Sequence, residues 1–288
     1  MSFQKHTKNA MVYYTSPLFD RWKIPHFFAA KRGGVSEGDF SSLNISTSRK
    51  DKNGNADSIE NVRKNLEIGL NIVNSNEKNS VMMKQIHSSI VQKAEISCLS
   101  GFAKGDFQPC DGVFAVKGMQ TDTLCIKTAD CVPILLYDTK NDTACALHAG
   151  WRGTVDNICG KAVEKMKELH KNAEIVAAIG PCIQECCYEV NNLVFSKTVE
   201  TCAELGISYK KLDTCFPKKY FADGEEKFRV SLSSLNRLFL ENAGVNPENI
   251  DESGLCTCCH TDDDGAVFFS HRASCGFSGT QMSVVKIK

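Results

Sequence analysis

The sequence predicts an α+β domain. Strand-like and helix-like segments are mixed along the chain without regular βαβ repeats. No glycine-rich dinucleotide fingerprint links a strand to a helix, and 42% apolar residues in 288 are enough for one full core. A single domain is expected over 21–288, preceded by an N-terminal segment over 1–20 that is a strand candidate. Lys plus Arg and Asp plus Glu both total 34, so no global field draws the chain to nucleic acid or to a membrane surface. No run of 18 apolar residues exists, and the first six residues do not lead into a signal-type segment. The expectation is a cytoplasmic protein with no obligate protein partner.

Taken in order, an apolar segment passes into Lys31-Arg32-Gly33-Gly34-Val35-Ser36, a functional-loop candidate because glycines expose backbone N–H groups. Residues 46–56 are polar and read as a mobile surface loop. Asp57 is placed to cap a helix over about 58–69, with Ile59, Val62 and Leu66 on one face. Val81 to His87 and Ser89 to Ile96 read as strands, followed by a polar loop over 98–110 and an apolar run from Asp111 to Val116. Thr123 to Thr128, Val132 to Tyr137 and Thr143 to His148 are the strongest strands. From Val155 to Leu169 apolar residues recur at helical spacing. Ile175 to Ile179 returns as a strand, helices are expected over 191–204 and 231–243, and Gly244 closes the second. The last strand is Gln281 to Ile287.

Fifteen cysteines is a high and odd count, spread through strand-like runs, which favours reduced, mostly buried thiols over a disulfide scaffold. Cys256-Thr257-Cys258-Cys259-His260 has the look of a second metal site, with Cys182, Cys186 and Cys187 as its other half; the reading adopted is clustered thiols without a metal.

The chemistry gathers in Lys84-Gln85-Ile86-His87-Ser88 and in the stretch from Thr128-Ala129-Asp130-Cys131 to His148-Ala149-Gly150-Trp151-Arg152-Gly153. Two imidazoles and a thiolate are a ligand set for a catalytic zinc with one position left to water. Forty-three residues separate His87 from Cys131 and 16 separate Cys131 from His148, longer than a zinc knuckle but compatible with a site assembled from several elements. Asp130 is either a hydrogen-bond acceptor for a ligand histidine or a loop cap. Trp151 is a stacking wall or a core seal, and Arg152 an anion contact or half of a salt bridge. Cys131 and His148 alone also make a nucleophile and base, as in cysteine hydrolases.

These stretches, together with Asp111-Gly112, Ile179-Gly180-Pro181-Cys182, Cys187-Tyr188-Glu189-Val190, Cys256-Thr257 and Phe268-Phe269-Ser270-His271-Arg272, resemble the laccase-domain family. Its members were first described as polyphenol oxidases and later as purine nucleoside phosphorylases with adenosine deaminase activity. The resemblance implies one catalytic zinc ion on His87, Cys131 and His148; Asp130, or another nearby group, is expected to move protons beside Cys131 and His148. It implies a layered β-structure flanked by helices, akin to the catalytic domain of cytotoxic necrotizing factors. Inorganic phosphate would be co-substrate for phosphorolysis of adenosine, inosine, guanosine and methylthioadenosine, and water would convert adenosine to inosine. Phosphate and substrate contacts are expected from Lys31, Arg32, Ser36, Asn44, Ser88, Arg152, His271 and Arg272. The family's usual Thr-Arg before the glycine loop is here Ala30-Lys31, which loses arginine's two-pronged geometry. The alternatives are a cysteine amidase built on Cys131 and His148, and a copper polyphenol oxidase, for which seven histidines are few.

Overall fold

The structure, a computed structural model, describes residues 2–94 and 109–288. Most of the polar loop expected over 98–110, and the end of the strand expected to reach Ile96, lie outside the described residues.

Two six-stranded sheets carry the fold. The first contains β1 (Gln4–Lys8), β2 (Met11–Thr15), β3 (His26–Ala29), β4 (Ser80–Met82), β7 (Thr123–Thr128) and β17 (Gln281–Lys286), in the order β1-β2-β3-β17-β7-β4. The second contains β5 (Val91–Lys93), β6 (Gly112–Val116), β8 (Val132–Asp138), β9 (Thr143–Ala149), β10 (Ile175–Ile179) and β14 (Ile250–Glu252), in the order β14-β10-β8-β9-β6-β5. The N-terminal strands are hydrogen-bonded into the first sheet, β2 to β3 through Tyr13↔Ala29 and Tyr14↔Phe28.

Side-chain alternation dictates the layering, because successive strand residues face opposite sides. On β8, Leu135 and Tyr137 join Leu124 and Ile126 of β7 in a core between the sheets. Ile134 and Leu136 point the other way, onto α4 (Ile158–Leu169) and α7 (Leu232–Asn242). On β7, Cys125 faces outward to α2 (Ile59–Leu70) through Leu66 and Leu70. The result is four layers, α2, sheet, sheet, helices. Both faces of the central strands are therefore apolar, which is why β8 and β9 read as continuous buried runs. A mixed α+β single domain is what the sequence predicted.

Several boundaries differ from expectation. The cap of α2 is Ser58, whose Oγ accepts the Asn61 N–H at 3.0 Å, while Asp57 accepts from Ser36 and Asn44 instead. The helix expected from Val155 to Leu169 starts at Ile158 as α4, because Asn157 takes φ 55° and caps it through Gly160 N–H, and Val155 instead ends a separate short helix, α3 (Trp151–Val155). A helix over Pro17–Arg21 (α1), α5 (Asn192–Glu204) and α6 (Tyr209–Leu212) complete the helical segments. A hairpin of β12 (Lys218–Ala222) and β13 (Glu225–Arg229), joined by β11 (Glu189–Asn191), turns at Asp223-Gly224, both with positive φ. A two-stranded ribbon, β15 (Thr261–Asp262) and β16 (Gly265–Ala266), precedes β17. No helix among the described residues is long and apolar enough to cross a membrane.

Candidate metal centre and its cleft

The strand expected to run to His87 stops at Met82, and one carboxylate organises the turn at 86–88 that follows. Asp111, fully buried, gathers three successive amides: Ile86 N–H at 3.2 Å, His87 N–H at 3.0 Å and Ser88 N–H at 2.6 Å. Its demand for donors curls 86–88 out of the sheet and leaves His87 at φ 62°. Ser88 Oγ adds a fourth bond at 2.7 Å. The same Asp111 accepts from His148 Nδ1 at 2.8 Å, so a single side chain places both histidines.

His148 lies on β9, paired across the sheet with Pro133 of β8. Cys131 immediately precedes β8, in a turn where Asp130 takes φ 91°. His87, Cys131 and His148 offer ligand atoms that all lie within 4.8 Å of one another, and the two imidazoles cross edge to face with centroids 4.9 Å apart. Gly150 makes this approach possible: a Cβ there would sit 3.0 Å from His87 Cδ2 and 3.3 Å from Cys131 Sγ. A Cβ on Gly153 would strike the Ser88 carbonyl at 2.6 Å. Burial falls from His148 through Cys131 to the exposed His87, so the cluster is open on one side.

Electrostatics bind the trio. Burial would raise the Cys131 thiol, but the His148 charge and hydrogen bonds from both imidazoles pull it down to about 6. Burial would lower His148, yet the Cys131 thiolate and Asp111 lift it to about 9. Asp111, despite burial, is drawn to about 2 by His148 and Ser88. Nδ1 of His148 donates to a carboxylate, so a metal that displaced the Nε2 proton shared with Cys131 would find a lone pair aimed at the cluster. A histidine held by a carboxylate, a second histidine and a stabilised thiolate form a donor set that fits a divalent transition metal. A candidate metal site is present.

The cluster floors a cleft of about 510 Å³. Arg49, Lys127, His271 and Arg272 line it, and Arg49 and Lys127 have no carboxylate partner among the described residues. Burial, then Arg49, lowers Lys127; burial, then Arg49, also lowers His271, whose Nδ1 lies 3.0 Å from Arg49. The buried hydroxyls of Thr128 and Thr280, also in the lining, have no hydrogen-bond partner among the described residues. Tyr188 and Ile183 also line the cleft, with burial pushing the Tyr188 phenol up to about 12.

The expected contacts divide. His271 and Arg272 line the cleft, the Arg272 guanidinium also donating to the Cys187 and Glu189 carbonyls. Lys31 and Arg32 line a different cavity, and Arg32 is bound by Asp262 at 2.6 and 2.8 Å and by Asp264 at 3.3 Å. Ser36 donates to Asp57 at 2.6 Å. The fully buried Asn44 braces the cleft wall, bonding Ser46 and accepting the Thr280 amide. Ser88 is spent on Asp111, and Arg152 stacks over Trp151 at 4.5 Å. The carboxylate that receives a ligand histidine is Asp111 and not Asp130: Asp130 accepts from Thr257 Oγ1 at 2.6 Å and the Arg272 amide at 2.7 Å. Sequence reasoning missed Asp111, Arg49 and Lys127. Asp111 lay in a matched Asp-Gly pair, whereas nothing local marks Arg49, in a polar stretch, or Lys127, in a strand.

The sequence was compared with known proteins. Residues 25–288 match the family model described as multi-copper polyphenol oxidoreductase laccase. A curated relative, purine nucleoside phosphorylase YlmD of Bacillus subtilis (strain 168), is 30% identical over 269 residues, covering 91% of this chain and 87% of its own. An adenosine deaminase from an unknown prokaryotic organism is 37% identical over 165 residues, 56% of this chain and 57% of its own. The crystal structure of YlmD from Geobacillus stearothermophilus superposes with a TM-score of 0.80 at 27% identity, covering 99% of this chain and 98% of that one.

Proposed function

This chain belongs to the multi-copper polyphenol oxidoreductase laccase family, and from that we propose that it is a zinc-dependent purine nucleoside enzyme. It would phosphorolyse adenosine, inosine, guanosine and methylthioadenosine, and deaminate adenosine to inosine. The observation that carries the reading is the juxtaposition of His87, Cys131 and His148 with Arg49 and Lys127, cations without a carboxylate partner among the described residues, in one cleft. The names of the relatives supply the purine nucleoside.

His87, Cys131 and His148 would hold the zinc ion, which would supply Lewis-acid chemistry toward water or a substrate oxygen. The remaining work falls to the chain. In phosphorolysis a phosphate oxygen bonds to C1′ of the ribose while the glycosidic bond breaks and the base departs with its electron pair. Arg49, Lys127 and Arg272 hold the phosphate against that carbon, where their charge offsets the anion, and His271, whose charged form burial disfavours, adds a hydrogen-bond contact. The Thr128 and Thr280 hydroxyls take up ribose or phosphate oxygens. Tyr188 and Ile183 flank the base. Asp111 fixes the His148 tautomer, and Asp130 positions the Arg272 loop. Deamination needs no phosphate and exchanges the amine at C6 for a water oxygen, releasing ammonia.

A cysteine amidase is the second reading, favoured by the Asp111–His148–Cys131 relay and the depressed Cys131 thiol. Kinship with the necrotizing-factor catalytic domain is part of that reading. Copper oxidation is weaker, since multicopper clusters need more histidines than the seven in the chain. The test incubates metal-analysed protein with adenosine, with and without phosphate, and separates inosine, adenine, hypoxanthine and ribose 1-phosphate. Phosphate-dependent ribose 1-phosphate and phosphate-independent inosine, both lost in Cys131→Ala, support the proposal; neither product from zinc-loaded protein overturns it.

A further inference from the structure

Four thiols meet at a second point of the fold. The Sγ atoms of Cys186, Cys187, Cys256 and Cys259 all lie within 4.8 Å of one another, Cys186 and Cys259 at 3.6 Å. Two tight turns bring them there, residues 185–187 after β10 and 257–259 after β14. The turns are pinned side by side by a parallel bridge between Cys182 and Cys256, with Cys182 N–H to the Leu255 carbonyl at 3.2 Å and Thr257 N–H to the Cys182 carbonyl at 3.0 Å. Within the second turn, His260 N–H closes on the Cys256 carbonyl at 3.0 Å, which sets Cys256 and Cys259 on one side. Backbone amides already address the sulfur: Gln184 N–H points at Cys256 Sγ at 3.4 Å.

We propose that Cys186, Cys187, Cys256 and Cys259 bind a structural zinc ion, separate from the cleft. A pair of cysteines spaced by two residues on one turn, facing two more on a neighbouring turn, is a saturated four-sulfur set that leaves no position for substrate or water. Four thiolates around a divalent ion carry net negative charge, and the surroundings answer it. Arg272 donates to the Cys187 carbonyl at 3.2 Å and Arg229 to the Cys186 carbonyl at 3.5 Å, which brings both guanidinium groups beside the cluster. The ion would tie the outer ends of the two turns, beyond the bridge, where Cys186 and Cys259 are exposed and of the four only Cys256 is buried. What it steadies is the cleft wall. Tyr188 follows Cys187, Thr257 follows Cys256 and bonds Asp130, and the Ile183 amide bonds the Asp130 carbonyl at 3.0 Å. The inference stands independently of the purine reading.

The test is zinc content of purified, reduced full-length protein, read with X-ray absorption at the zinc edge. Cys131→Ala protein is expected to keep one zinc per chain, in a shell of four sulfurs at about 2.3 Å. Wild type is expected to hold two, and a Cys186→Ser/Cys259→Ser variant one. Cys131→Ala protein without zinc, or with nitrogen or oxygen in the shell, overturns the proposal. So does a disulfide among the four, read as thiols that iodoacetamide reaches only after reduction. Wild type with a single zinc that survives in Cys131→Ala upholds this site and removes the metal from the cleft instead. The absorption measurement leaves all four cysteines intact, so misfolding of the double variant does not cloud it.

Discussion

Asp111→Asn is the sharpest perturbation of the cleft, because one buried carboxylate accepts from His148 Nδ1, Ser88 N–H and Oγ, and the His87 and Ile86 amides. An amide at that position keeps one acceptor oxygen and turns an NH2 group toward its other neighbours. If the oxygen stays on the Ser88 amide, the NH2 faces His148 Nδ1, and His148 relieves the clash by moving its proton to Nε2. That tautomer has no lone pair for a metal. Loss of such a supporting carboxylate costs about 10–100-fold in metal affinity, or about 1.4–2.8 kcal/mol. If the oxygen instead serves His148, Ser88 is left facing a donor and the 86–88 turn loosens, at about 1–3 kcal/mol for a buried unsatisfied group. Zinc affinity measured by competition with a fluorescent chelator, with thermal melting alongside, separates the two outcomes. Unchanged zinc affinity and an unchanged melting temperature would refute the assignment of Asp111.

Three further outcomes are expected. Arg49→Ala and Lys127→Ala each raise the KM for phosphate about tenfold or more, as expected for losing a charge-assisted contact, while phosphate-free deamination stays near wild type; steady-state kinetics with both reactions checks the split. In protein stripped of metal, iodoacetamide labels Cys131 at a rate that climbs as pH rises through about 6, where its thiolate forms, while the buried Cys125 stays unlabelled; peptide mapping across pH reads this. His26 accepts the Ser16 N–H at Nε2 and donates to the Ile24 carbonyl, so it is neutral in the fold, and burial holds it at about 4. Its folded pKa lies below the usual 6.5, so its contribution is full above about 6.5 and is lost as pH falls through about 4. His26→Gln should flatten the fall in melting temperature over that window.

Legibility in the sequence follows the range of the forces involved. β7 ran from Thr123 to Thr128 as expected, and β8 and β9 within a residue, because a strand buried on both faces is a continuous apolar run bounded by turn residues. Local side-chain competition hid other boundaries: Asn157 capping starts α4 at Ile158 instead of Val155, and Asp111 holds 86–88 in a turn by claiming amides 23 to 25 residues away. The Asp223-Gly224 turn was a readable hairpin signal that went unused. In the site, His87, Cys131 and His148 stood out by residue type and by family resemblance. Their support did not: the 46–56 stretch read as a surface loop supplies Ser46, Ser48 and Arg49 to the cleft, through contacts with His271 far along the chain. The four-cysteine cluster was seen in the sequence, but only the pairing of two distant turns puts its sulfurs together.

Crystals of zinc-loaded protein measured at the zinc absorption edge test the central claim most directly. The account predicts an anomalous peak shared by His87, Cys131 and His148, about 2.3 Å from the sulfur and about 2.0–2.1 Å from each ring nitrogen. A fully active crystal with no peak at those three side chains would contradict it.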